Sequence, residues 1–215
     1  MRNMSQMPLP PSPGTAQHCS IDLANSEIHL PGGKTFDALS SPEGTTQWLI
    51  ARDLVPQDAA LQSYCQNRLV TLRSQIRKAF HASASGTPAA REVLQGINAA
   101  LLAAPSTPLL HQEQGKGFFR ALEHPATQLT EHAMSRLAED AAALLSSEEA
   151  GLLAQCEAEP CTRYLLKTHG RRHWCSTRCG DRVRAARSYA KKKSRQDSPA
   201  AKDMAREIPS GDAAK

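Results

Sequence analysis

Six cysteines occur in the 215 residues, and four of them fall near the C-terminus as C-x4-C-x13-C-x3-C: Cys156, Cys161, Cys175 and Cys179. Two short-spaced thiol pairs joined by a loop meet the tetrahedral demand of zinc while each pair stays within one tight turn. Pro160, inside the first pair, suits a knuckle turn whose N–H groups point at the sulfurs. The three-residue gap of the second pair puts its members on adjacent turns at a helix start. Thiolates at all four corners leave no position for a reacting water, so the expected ion is a single structural zinc. Such an ion supplies about 10–16 kcal/mol of apparent binding free energy, enough to order a segment with almost no core of its own. His169 and His173 precede Cys175, but the tetrahedron is complete without them. Cys19 and Cys65 stand apart and read as small buried hydrophobes.

The formal charge of +5 is unevenly placed: from Cys156 to Arg195 there are twelve Lys/Arg against three Asp/Glu, so the rest of the chain is net acidic. Four thiolates and a zinc ion leave that segment positive, which favours a polyanionic partner such as nucleic acid. The run from Gly180 to Lys193 has high helix propensity. On a helix, Cys179, Val183, Ala186 and Ala190 share one face and Arg184, Arg187, Lys191 and Arg195 another. The first face is expected to pack on the zinc unit and the second to meet phosphates. Arg171 and Arg172, ahead of the second cysteine pair, and Arg182 complete the expected nucleic-acid set. Arginine forks grip phosphate oxygens in pairs and can also read guanine. Tyr164, Trp174 and Tyr189 are the few aromatics among these charges, which argues against single-strand stacking, and Trp174 is expected to pack beside the metal.

The elements that must carry this segment are mainly helical. Ser41-Pro42-Glu43 reads as an N-cap, a first-turn proline and an acid at the positive helix end, opening a helix with Trp48, Leu49 and Leu54 that stops at Pro56. From Asp58, Leu61, Cys65, Leu69, Leu72, Ile76 and Phe80 recur at three- and four-residue steps along one long helix. Thr87-Pro88 repeats the cap-then-proline start for a helix bearing Val93, Leu94, Ile97, Leu101 and Leu102. Pro125 opens another, with Leu129, Ala133, Leu137, Ala141 and Leu144. Cys19 to Phe36, broken by Pro31-Gly32-Gly33, suits strand and turn better than helix. Leu109 to Leu122 reads either as two short strands around Gln114–Gly117 or as a helical start. Only nine aromatic residues are present, so the core must rest mainly on Leu and Ala.

The expected fold is thus mainly α. A disordered leader, 1–17, precedes a small helical domain with short hairpin elements, 18–150. A treble-clef-like zinc finger ending in a basic helix follows over 151–193, and then a disordered tail, 194–215. No apolar run has the length of a secretory signal or a membrane span, and closely spaced thiols suit a reducing compartment, so a cytoplasmic protein is expected.

Trp174-Cys175-Ser176 and Cys179-Gly180-Asp181-Arg182, with Arg171-Arg172 ahead and a basic helix behind, resemble the CGNR zinc finger. Ile21-Asp22-Leu23-Ala24-Asn25, then Trp48-Leu49 and the helical region to about Leu145, are similar to the ABATE domain that precedes this finger in bacterial proteins described as stress-induced transcription regulators. The resemblance implies that the four cysteines bind zinc and that the finger contacts DNA. Asp181 stands where the family has asparagine. Facing a phosphate it would repel, whereas as a helix cap it would serve equally well.

These features suggest a transcriptional regulator whose zinc finger holds a basic helix against double-stranded DNA, while the helical domain senses a small-molecule effector or forms a homodimer. The alternative is a zinc-stabilised module that binds RNA or protein. The chain has no P-loop, G-x-S-x-G or H-E-x-x-H, so an enzyme is not expected. In the helical domain Asp22 and Asn25 are the candidates for a polar ligand contact, against their reading as turn or cap residues.

Overall fold

The computed structural model describes residues 8–104, 108–121 and 128–196. Helix α1 (Cys19–Ala24) leads into an antiparallel hairpin of β1 (Glu27–Leu30) and β2 (Lys34–Asp37), whose turn has Gly32 and Gly33 at φ 77° and 72°. Strand and turn therefore describe the hairpin, but Cys19–Ala24 is helical. The cause is remote in sequence: the Asp140 carboxylate accepts the Ser20 N–H at 2.8 Å, acting as the cap that α1 lacks locally. Ile21, Leu23 and Ala24 are then fully buried.

Helix α2 (Pro42–Ile50) starts as its cap signal predicts, with Ser41 Oγ accepting from the Gly44 N–H at 3.1 Å. It ends before Pro56, and Leu54 joins the core from the turn beyond it. Helix α3 (Ser63–Ser85) keeps the predicted stripe, with Leu69, Leu72, Ile76 and Phe80 inaccessible, and starts five residues later than Asp58. Gly86, at φ 64°, closes it, and the Thr87 N–H donates to the Ala82 carbonyl at 2.9 Å. Thr87 thereby terminates α3 instead of capping the next helix, and α4 (Arg91–Ala103) begins beyond it, burying Val93, Ile97 and Ala100 while Leu94 and Leu102 face solvent.

Strands β3 (Leu109–Glu113) and β4 (Gly117–Ala121) form the hairpin alternative for that stretch. Helix α5 (Leu129–Ser146) packs on α1, α3 and α4, its Ala133, Ala138 and Ala141 allowing close approach while Leu137 and Leu144 fill the core. Pro125 and Leu122 lie outside the described residues. Each fully buried Leu or Phe here contributes about 1.5–3 kcal/mol, so stability is spread over many side chains.

A 3-10 turn (Glu148–Leu152) passes the chain to the antiparallel pair β5 (Leu153–Gln155) and β6 (Tyr164–Leu166), and then to α6 (Thr177–Gln196). The fold is thus mainly helical with short hairpins and a knuckle-and-helix unit at its C-terminal end, as expected. The two cores interlock: Leu153, Tyr164 and Leu166 belong to the helical core, while Leu9 and Ile28 complete the small core around the cysteines. Residues 8–17 consequently do not form the free leader expected for 1–17. Pro8 and Pro10 accept from Arg178 and Arg163, each at 2.9 Å, and Pro13 accepts the Leu166 N–H on the open side of β6. The carbonyls of this proline-rich stretch thus accept from two arginines of the metal unit and from one strand N–H. The expected tail begins too early as well, because Ser194–Gln196 continue α6; residues 1–7 and 197–215 lie outside the described residues.

Candidate metal centre and basic helix

Cys156 follows β5, Cys161 ends a knuckle that closes with the Cys161 N–H donating to the Ala158 carbonyl at 2.8 Å, and Cys175 and Cys179 flank the start of α6. Ser176 caps that helix: its Oγ accepts the Cys179 N–H at 3.3 Å. The four sulfurs lie within 4.8 Å of one another, and none is in a disulfide. Zn–S bonds of about 2.3 Å in a tetrahedron require S···S edges of about 3.8 Å. Cys175 Sγ lies 3.7 Å from both Cys161 Sγ and Cys179 Sγ. All four side chains are buried, so donor type, number and spacing fit one structural zinc ion.

Thiols this close share protons. A hydrogen bond from Cys161 brings Cys156 down to about 7. One from Cys156 lowers Cys179, while Cys161 and Cys175, as partners of Cys156, are pushed up. A divalent ion lets all four ionise together, and two arginines and a backbone amide then share the charge. Arg163, only 1% exposed, reaches Cys175 Sγ at 3.7 Å, Arg182 reaches Cys179 Sγ at 3.8 Å, and the Cys175 N–H points at Cys156 Sγ at 3.4 Å. Nothing in the local sequence marks Arg163 for this position, although Ser176 ahead of a helical run is a readable cap signal.

The other candidates take structural places. His173 pairs with Glu157 across the knuckle at 2.8 Å, His169 is exposed, and neither is among the clustered ligands. Cys19 and Cys65 are also outside the cluster, and burial pushes the Cys19 thiol up to about 12. Trp174 packs over Gly180 in the first turns of α6, where an added Cβ would stand 2.9 Å from the ring and force it to shift. Asp181 caps nothing. It lies inside α6, exposed, and pairs with Arg184 at 2.5 Å, while the Arg184 guanidinium sits 5.5 Å from the Trp174 ring centroid.

Arg182 is half-buried and donates to the Ala158 carbonyl at 2.6 Å, tying α6 to the knuckle. Arg171, Arg187 and Lys191 are exposed and Arg172 is partly covered. The expected division of α6 into a packed and a free face holds only as far as Val183: Ala186 and Ala190 are exposed too, because the small metal unit has no surface to cover them.

Asn25 is fully buried and joins the two cores. It accepts the Tyr164 N–H at 2.7 Å and donates to the Tyr164 carbonyl at 2.9 Å and to Ser12 Oγ at 2.8 Å, standing in for a neighbouring strand on β6. Asp22 pairs with Arg52, whose guanidinium stacks 4.0 Å from the Trp48 ring centroid. Asn25 is therefore occupied by protein partners, whereas the Asp22 carboxylate is partly exposed.

The comparisons agree with this anatomy. The ABATE family, described as "Putative stress-induced transcription regulator", matches residues 17–148, and the CGNR zinc finger matches residues 153–192. No curated protein matches the chain. The protein, a helical body joined through Asn25 to a four-cysteine unit that fits zinc, belongs to the ABATE family and carries a CGNR zinc finger after that domain.

Proposed function

We propose that this regulator binds duplex DNA through α6, with the zinc unit of residues 151–193 as its mount and the helical domain of residues 18–150 as the sensing or dimerising part. The observation that carries this reading is the state of α6. Every described side chain from Arg184 to Gln196 is exposed, and Thr177–Gln196 bears eight Lys/Arg against one Asp. Beyond Val183 the helix has no buried apolar face and so lacks the usual source of helical stability, and like charges along it repel. A phosphate array relieves that repulsion and releases counterions.

Within this reading the expected contact residues divide. Arg187 and Lys191, which make no ion pair among the described residues, neutralise phosphates, with Arg171 beside the helix start. Arg184 exchanges its Asp181 partner for phosphate. Arg182 and Arg172 position the helix from within the unit. The protein then works where the DNA is, in the cytoplasm.

The test is anisotropy of a labelled duplex titrated with zinc-loaded protein across a salt series. Neutralising about six phosphates gives a slope of about −5 in log K against log salt, and Arg187→Ala with Lys191→Ala lowers its magnitude by about 2. Failure to bind any duplex at low salt would remove this reading. Tighter binding to RNA or to an acidic protein would replace it with the interaction-module one.

A further inference from the structure

Where α3 passes the metal unit, a cleft of about 520 Å³ is lined by Arg73, Arg77, Lys78 and His81, by Tyr164 of β6 and by Glu27 of β1. Its two arginines differ in how their charge is met. Arg73 is 4% exposed and forks onto Asp37 at 2.6 and 2.9 Å, with Glu27 3.5 Å away. Burial would raise the Asp37 carboxyl, but the Arg73 fork and the Leu39 N–H hold it below the usual carboxylate range. Arg77, one turn on, is half-buried and meets no carboxylate among the described residues. Its guanidinium donates to the carbonyls of Ala24 and, at 3.2 Å, Thr162, and lies 5.4 Å from the Tyr164 ring centroid. Carbonyl dipoles and a π face solvate a guanidinium but leave its net charge uncompensated. Lys78 and His81 are exposed, make no ion pair among the described residues, and follow Arg77 within little more than one turn.

We propose that this cleft binds a small anion carrying a carboxylate or phosphate group, held by Arg77, Lys78 and His81. It supplies a site for the sensing role assigned above to the helical domain, and to that extent rests on that reading. A single small anion fits better than a nucleic-acid backbone. The site is concave, and its exposed cations Lys78 and His81 lie within little more than one turn of Arg77, a span that suits one anionic group and not a run of phosphates. Its place matters too. Tyr164 Oη donates to the Arg77 carbonyl at 2.9 Å, and Arg77 donates to Thr162, the residue after Cys161. An occupant touches both α3 and the strand that follows the metal knuckle, the kind of seam where ligand sites concentrate.

Isothermal titration of the zinc-loaded full chain with inorganic phosphate, and separately with malonate, tests this. Saturable binding of either anion is expected, weakened by about tenfold or more in Lys78→Ala/His81→Ala and unchanged in Arg187→Ala/Lys191→Ala. Both cleft positions are exposed, so the variant should fold. Absence of saturable binding by both anions overturns the proposal. So does binding lost only in the α6 variant, which would locate the anion on the basic helix, or a cleft variant whose only defect is in duplex affinity. Duplex titrations run in parallel keep the two readings apart. Anion binding without duplex binding removes the role of α6 alone, and duplex binding without anion binding removes the cleft alone.

Discussion

The helical body and the metal unit each contain one long helix, α3 of 23 residues and α6 of 20, and hold it by opposite means. α3 sets Leu69, Leu72, Ile76 and Phe80 into a core shared with α2, α4 and α5, so its burial is distributed over many apolar contacts. α6 is anchored at one end, by Cys179, the Ser176 cap, Gly180 under Trp174 and the Arg182 tether, and is otherwise in water. Distributed burial tolerates the loss of a contact and hides the helix. A metal anchor concentrates the attachment in a few atoms and leaves the rest of the surface available. The price is dependence on four thiols.

Removing the metal should expose this difference most strongly. Chelation, or Cys175→Ser, takes away up to about 10–16 kcal/mol of local binding free energy. Amide signals of residues 153–196 should then lose dispersion while those of α3 and α5 persist; an α6 that keeps its NMR pattern without zinc would contradict the contrast. Asn25→Ala should be next. It strips the Tyr164 N–H of its buried acceptor and also removes two bonds that Asn25 donates, for about 3 kcal/mol, and lowers the melting temperature of the whole chain because body and unit meet there. An unchanged melting temperature would mean that the two parts are held together elsewhere.

Gly180→Ala should cost about 1–3 kcal/mol by pressing a methyl against Trp174, offset in part by alanine's better helix propensity. The damage should stay in the unit, visible as a shifted Trp174 indole resonance beside an unchanged Trp48 one. The smallest effect belongs to Asp181→Asn. Losing an exposed pair with Arg184 should change stability by less than about 0.5 kcal/mol. Freeing Arg184 should tighten duplex binding by about 0.5–1 kcal/mol at low salt, and weaker binding would show that the aspartate does not lie beside phosphate.

Features set by neighbours in the chain were readable. The four ligands stand out because each pair lies within one turn, and the α3 stripe because its period is helical. The Ser41 cap is readable because its hydrogen bond spans three residues. Features made by distant partners were not. α1 takes its cap from Asp140, some 120 positions away. Asn25 looks like a turn residue until β6 is laid beside it, and residues 8–17 look unstructured until arginines of the metal unit reach their carbonyls. Thr87 carries a valid start signal that the end of α3 takes first.

Ligand identity, closed coordination and the cationic character of α6 are therefore properties of the chain read locally, because thiol spacing and charge density need no folding to be counted. Which cations remain free is a property of the fold. Arg163 and Arg182 turn inward to the sulfurs, Arg73 meets Asp37, and among the described residues Arg77 meets only carbonyls and a ring. A charge has the same sign everywhere in a sequence, but its compensation depends on what three-dimensional packing brings within a few ångströms of it.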